Sequence, residues 1–127
     1  MIVISWNIRG LNGKGKQRYL QERLTKEKPH LVLLHETKVS GEHLEDIVSR
    51  LKPRHEVMAI DANRSVGGIS ILWSSAEMLA EGWIGLPQIL MGIFRLLGTK
   101  EWFSVSSVYG PIFLGDKQAF FRSFRSI

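Results

Sequence analysis

The chain opens on an apolar block, Ile2-Val3-Ile4-Ser5-Trp6, whose β-branched content predicts a strand over residues 2–6. Gly10, Gly13 and Gly15 then mark a flexible turn, after which the apolar spacing becomes helical over about 16–27, with Leu20 and Leu24 on one stripe. Pro29 ends that helix, because it has no N–H and its ring clashes with the preceding turn. Leu31-Val32-Leu33-Leu34 is continuous instead of alternating, which predicts a strand buried on both faces. Ser40 suits the N-cap of a second helix, with Glu42, Glu45 and Asp46 toward its positive end. Its Leu44, Ile47, Val48 and Leu51 follow the i, i+3, i+4, i+7 rule, and Pro53 stops it.

Strands are predicted over 57–60, 69–73 and 102–109, with a weaker pair around Trp83 and over 90–96; Gly67-Gly68 marks the turn into 69–73. Residues 116–126, with Phe120, Phe121 and Phe124, read as a capped helix. The four tryptophans, Trp6, Trp73, Trp83 and Trp102, lie in apolar strands and are expected in the core. Alternating strands and helices followed by a run of strands predict a layered α/β domain.

Composition narrows the classes. The 127 residues make one domain or a piece of one, and 44% hydrophobic with 23% charged residues is an ordinary globular balance. The absence of cysteine excludes disulfides, thiolate metal sites and a cysteine nucleophile. The apolar stretch 84–97 is interrupted by Pro87, Gln88 and Arg95, so no membrane span is expected; the short apolar start does not suit a signal peptide. An intracellular protein, nuclear or cytoplasmic, is the expectation. The net charge of +5 is uneven: residues 1–28 hold seven basic against two acidic side chains, while the other 99 hold ten of each. Such clustering suits a polyanion such as nucleic acid, although short surface helices are often basic for solubility alone.

Three polar residues stand at the ends of apolar strands: Asn7, Glu36 and Tyr109. Strand ends are where open α/β sheets bind ligands. A carboxylate, an amide and a phenol on one rim suit a hard cation, Mg2+ or Mn2+, that holds a phosphate and keeps much of its shell as water. Structural roles also account for each residue singly: a turn cap for Asn7, pairing with Lys38 for Glu36, an interface aromatic for Tyr109. A second reading starts from Gly10 to Lys16, which spells G-x-x-x-x-G-K between a strand and a helix. Against a P-loop nucleotide binder stands Gln17, where a Ser or Thr hydroxyl is needed for the metal.

Taken together, Ile4-Ser5-Trp6-Asn7-Ile8-Arg9-Gly10-Leu11, His35-Glu36-Thr37-Lys38, Gly67-Gly68-Ile69-Ser70-Ile71-Leu72-Trp73 and Val108-Tyr109-Gly110-Pro111 resemble the endonuclease/exonuclease/phosphatase superfamily. Within it they look most like the endonuclease domain of plant non-LTR (LINE-type) retrotransposons. The resemblance implies a two-sheet α/β sandwich and Mg2+- or Mn2+-dependent hydrolysis of phosphodiester bonds in DNA. It implies that Asn7 helps organise metal and phosphate, that Glu36 is the principal acidic metal ligand, and that Tyr109 contacts the scissile phosphate. Arg9, Lys14 and Lys16 would then track the DNA backbone, or else belong to a solvated loop.

Two departures qualify the implication. His35 stands where the family often has Gln. The family's later Asp-x-Asn and Asp-His pairs have no counterpart: Asp61-Ala62-Asn63 precedes the Gly67-Gly68 block and reads as a turn, and no Asp-His dipeptide exists. Residues 1–127 are therefore expected to form a partial domain, truncated after the first half, with negligible nuclease activity and with uncovered apolar surface that favours self-association. A non-catalytic nucleic-acid-binding module is the alternative.

Overall fold

The computed structural model describes residues 1–61 and 67–108. Tyr109, Asn63 and the predicted helix over 116–126 lie outside the described residues. The first apolar block forms β1 (Val3–Asn7), which pairs in parallel with β2 (Leu31–His35), Val3 opposite Leu31 through Asn7 opposite His35. A parallel pair needs a crossover, and α1 (Lys14–Glu27) supplies it, with Leu20 and Leu24 buried. The helix starts two residues earlier than the spacing predicts, because Gly13 takes an extended N-cap conformation and its carbonyl accepts from the Gln17 N–H at 3.1 Å. It ends before Pro29 at Lys28, which adopts a left-handed conformation (φ 47°) and donates its N–H to the Leu24 carbonyl.

The second helix, α2 (Gly41–Leu51), begins where predicted: the Ser40 hydroxyl accepts from the His43 N–H at 3.1 Å. A second anion reaches the same end, since the Gly41 N–H donates to Asp61 Oδ1 at 2.6 Å. Glycine permits that approach; a Cβ at position 41 would lie 2.9 Å from the same oxygen.

Two more strands complete the first sheet, β3 (His55–Ile60) and β4 (Ile69–Ser74), in the order β1-β2-β4-β3. The second sheet is an antiparallel meander of β5 (Met78–Leu86), β6 (Ile89–Leu96) and β7 (Trp102–Val108). The unbroken apolar run in β2 has the predicted explanation. Val32 and Leu34 pack under α1 and α2, with Leu44, Ile47 and Val48, while Leu31 packs between the sheets with Met58, Ile71, Leu90 and Phe94. Layers therefore run helices, first sheet, second sheet. No helix among the described residues is long and apolar enough to cross a membrane.

The sheets pack closely at Gly92, opposite Met58. A Cβ there would sit 2.6 Å from Phe94 Cε2 and 2.8 Å from the Met58 sulfur. Gly92→Val is expected to cost about 3 kcal/mol, the upper end for overpacking a closed core, read as a lower urea midpoint with an unchanged m-value.

The tryptophans divide against expectation. Trp73 is packed edge-on against Phe94 at 5.4 Å, and Trp6 against Tyr19 at 4.9 Å. Trp83 and Trp102, however, are 50% and 45% exposed. They stand on β5 and β7, the edge strands of a three-stranded sheet, and the Arg95 guanidinium lies 5.2 Å over the Trp102 ring. Register places Trp102 with Ile84, Ile93 and Val108 on the outer face of this sheet, all exposed among the described residues.

Candidate functional site

Because β1 and β2 run in parallel, both deliver their carboxyl ends to one rim, where Asn7 and His35 are direct neighbours. The chains then turn while remaining laced together. The N–H groups of Ile8, Gly10 and Leu11 donate to the carbonyls of His35 (3.0 Å), Glu36 (2.7 Å) and Thr37 (2.9 Å). From the other side, the N–H groups of Thr37 and Lys38 donate to the carbonyls of Gly68 (3.3 Å) and Gly67 (3.0 Å). Three segments distant in sequence thus hold the backbone around Glu36, and buried Ile8, Leu11 and Thr37 anchor them below.

The turns demand unusual backbone. Arg9, Glu36 and Lys38 have φ of 54°, 56° and 57°, alongside Gly10, Gly67 and Gly68 at 98°, 77° and 96°. A left-handed conformation in a non-glycine residue costs on the order of 1 kcal/mol and persists where its surroundings over-determine it. Here the interlaced hydrogen bonds do so, and they fix the backbone at Glu36 in that conformation.

His35 and Asn7 share a face, the one turned toward the second sheet. There the His35 Nε2 lies 2.8 Å from the Ser107 hydroxyl, a hydrogen bond that ties the end of β2 to the end of β7. Burial pushes the His35 imidazole below its usual pKa, and the neighbouring Glu36 carboxylate opposes the shift in part. His55 is lowered too, by burial first and by Lys52 second, against Glu77. Both groups bind protons more readily when unfolded, so stability rises with pH and is lost as pH falls below the ordinary histidine value of 6.5. Melting is expected at a lower temperature near pH 5 than near pH 7.5, and His35→Gln should flatten part of that dependence; a temperature that holds level across the range contradicts it.

The basic turn has a definite geometry. Lys16 Nζ donates to the Ile8 carbonyl at 2.7 Å, and Gln17 Nε2 donates to the carbonyls of Leu11 and Asn12 at 3.1 and 3.3 Å. The turn thus directs carbonyls inward at its own helix. A P-loop does the reverse, presenting N–H groups to phosphate and leaving its lysine free for the anion. Arg9 and Lys14 are exposed.

As a donor set, one carboxylate and one carboxamide suit a hard cation that retains water and substrate oxygens, as Mg2+ and Mn2+ do. They do not make a four-ligand zinc centre, and among the described residues no three His, Asp or Glu side chains gather. The sequence pattern did not single out Ser107, and it gave Thr37, Gly67 and Gly68 no role in bracing Glu36. Ser107 had a signal: it alternates with Phe103 and Val105, so a polar side chain falls on an inward, apolar face.

No family model matches the sequence, and no curated protein does. Solved structures do. An endonuclease/exonuclease/phosphatase family protein from Bacteroides thetaiotaomicron aligns at a TM-score of 0.72 and 12% identity, over 99% of this chain and 57% of that one. The AP endonuclease LMAP from Leishmania major aligns at 0.70 and 17%, over 96% and 44%. The human Nocturnin catalytic domain aligns at 0.68 and 12%, over 88% and 51%. This chain accordingly spans about half the length of the structures it resembles. At such identities the likeness speaks for the fold: the two-sheet α/β architecture is that of endonuclease/exonuclease/phosphatase proteins.

Proposed function

We propose that the rim at the ends of β1 and β2 is the metal-binding part of a divalent-metal-dependent phosphodiesterase site, with DNA as substrate. The observation that carries the reading is the strained, cross-braced backbone at Glu36 beside Asn7, on this fold. Glu36 would hold Mg2+ or Mn2+, with the Asn7 amide completing the protein's share; when bound, the ion offsets charge on the phosphoryl oxygens. Asn7 and His35 would fix the phosphate's approach, Ser107 holding the imidazole in place, and Tyr109 would contact the scissile phosphate. Arg9 and Lys14 would meet the flanking backbone, and Lys16 would brace the turn that carries Arg9. The four sequence blocks support descent from a plant LINE-type retrotransposon endonuclease.

These residues form part of a domain on this reading. The family's later Asp-x-Asn and Asp-His pairs, which would activate water and orient phosphate, have no counterpart after the Val108–Pro111 block, and proton transfer of that kind is commonly worth about 10²–10⁴-fold. The 127-residue chain is expected to leave supercoiled DNA intact with Mg2+ while binding Mn2+ through Glu36. Nicking that disappears in Glu36→Gln would overturn the incompleteness; Mn2+ binding indifferent to that substitution would overturn the site. The exposed outer face of the second sheet supports self-association as well.

A further inference from the structure

Away from the rim, α1 and α2 enclose a second polar feature. An open groove of about 420 Å³ runs between them, lined by Asn12, Lys14, Gln17 and Arg18 from one side and His43, Arg50 and Leu51 from the other. Next to it, Gln21 Nε2 donates to the Leu51 carbonyl at 3.1 Å and so couples the helices. Both walls carry cations, Lys14 and Arg18 on α1 and Arg50 on α2, where the exposed His43 imidazole adds a further hydrogen-bonding group. Among the described residues one ion pair touches the groove: Arg50 to Asp46 at 3.5 Å, with side chains 58% and 69% exposed. A pair so solvated is worth little, and a phosphate can displace it.

We propose that this groove is a binding track for a nucleic-acid phosphate backbone, through which a strand leaving the rim is held by Arg18 and Arg50. Three observations favour a long polyanion over a small anion. The groove is open to solvent, its cations are distributed over two helices, and none of its residues is a buried, preorganised anion ligand. Guanidinium groups on opposing walls match successive phosphates with bidentate hydrogen bonds. Lys14, the first residue of α1, follows the turn that carries Arg9 and also lines the groove, which brings one end of the groove next to that turn. The proposal rests on the reading above for its nucleic-acid partner, yet it does not require metal.

The test is duplex DNA binding followed by fluorescence anisotropy in EDTA, across a salt series, for the 127-residue chain and for Arg18→Gln/Arg50→Gln. Both side chains are exposed, and unchanged melting of the variant certifies the fold. Loss of two phosphate contacts is expected to weaken binding about tenfold and to reduce the slope of log K on log salt by about 1.8. An unaltered slope in the groove variant, with weakened binding in Arg9→Gln, overturns the groove and leaves the rim reading intact. Absence of any salt-sensitive DNA binding overturns the groove together with DNA as the rim's substrate, leaving Mn2+ binding at Glu36 to be judged by itself.

Discussion

Phe94→Ala is expected to destabilise the protein by about 3–5 kcal/mol, the range for truncating a large buried aromatic. Phe94 is fully buried at the centre of the inter-sheet core, edge-on to Trp73 at 5.4 Å and tilted against Phe103 at 6.3 Å. It therefore joins β4, β6 and β7, and it fills the hollow that Gly92 leaves beside Met58. Those contacts hold the second sheet against the first, so the cavity cannot close without moving a sheet. A marginal domain of this length has a total stability of the order of 5–15 kcal/mol, which makes the loss a large share. Chemical denaturation monitored by tryptophan fluorescence is the measurement, Trp73 lying against the cavity. A cost under about 1 kcal/mol would mean that the sheets are not packed as described.

The second large effect concerns metal. Glu36→Gln keeps the side chain's size and removes its charge; Mn2+ affinity is expected to fall at least about tenfold to a hundredfold, measured by calorimetric titration. The expected loss is electrostatic in origin. A hard dication draws most of its protein binding energy from anionic oxygen, and the Asn7 amide is neutral. Position also matters, since the hydrogen bonds through Gly10, Thr37 and Lys38 hold the residue's backbone whether or not the charge is present. Asn7→Ala should therefore produce a smaller loss than Glu36→Gln. The reverse order would move the anionic ligand elsewhere.

Much of the fold was legible because local chemistry and burial agreed. The Ser40 cap, the Leu44-Ile47-Val48 stripe and Pro53 specify α2, and the structure has that helix at 41–51. Leu31 through Leu34, with no polar position, announces a strand covered on both sides, and helices cover one face while a sheet covers the other. Less was legible in β5, where Gly82 and Gly85 dilute the β signal, yet eight of its nine residues pair with β6, Glu81 being skipped at a register shift. Strand formation there is decided by the partner, as β propensity is largely a matter of neighbours. Trp83 and Trp102 failed as core markers for a related reason: hydrophobicity reports what burial would stabilise, and a three-stranded sheet exposes its edges and outer face.

The sequence by itself determined the succession of strands and helices, the turns at Gly10, Pro29 and Gly67-Gly68, and the polar residues Asn7 and Glu36 just past apolar strands. Each of these depends on residues close together in the chain, through dihedral preference, capping or periodicity. Only the tertiary structure decided that Ser107 meets His35, that Asp61 completes the start of α2, and that Lys16 turns back on Ile8. It also decided that Glu36 sits at a positive φ held by two other loops, and that Arg18 and Arg50 face one groove. Apart from Lys16 and Ile8, eight positions apart, these contacts join residues twenty or more positions apart, and their existence depends on register and layer packing, which no local pattern encodes.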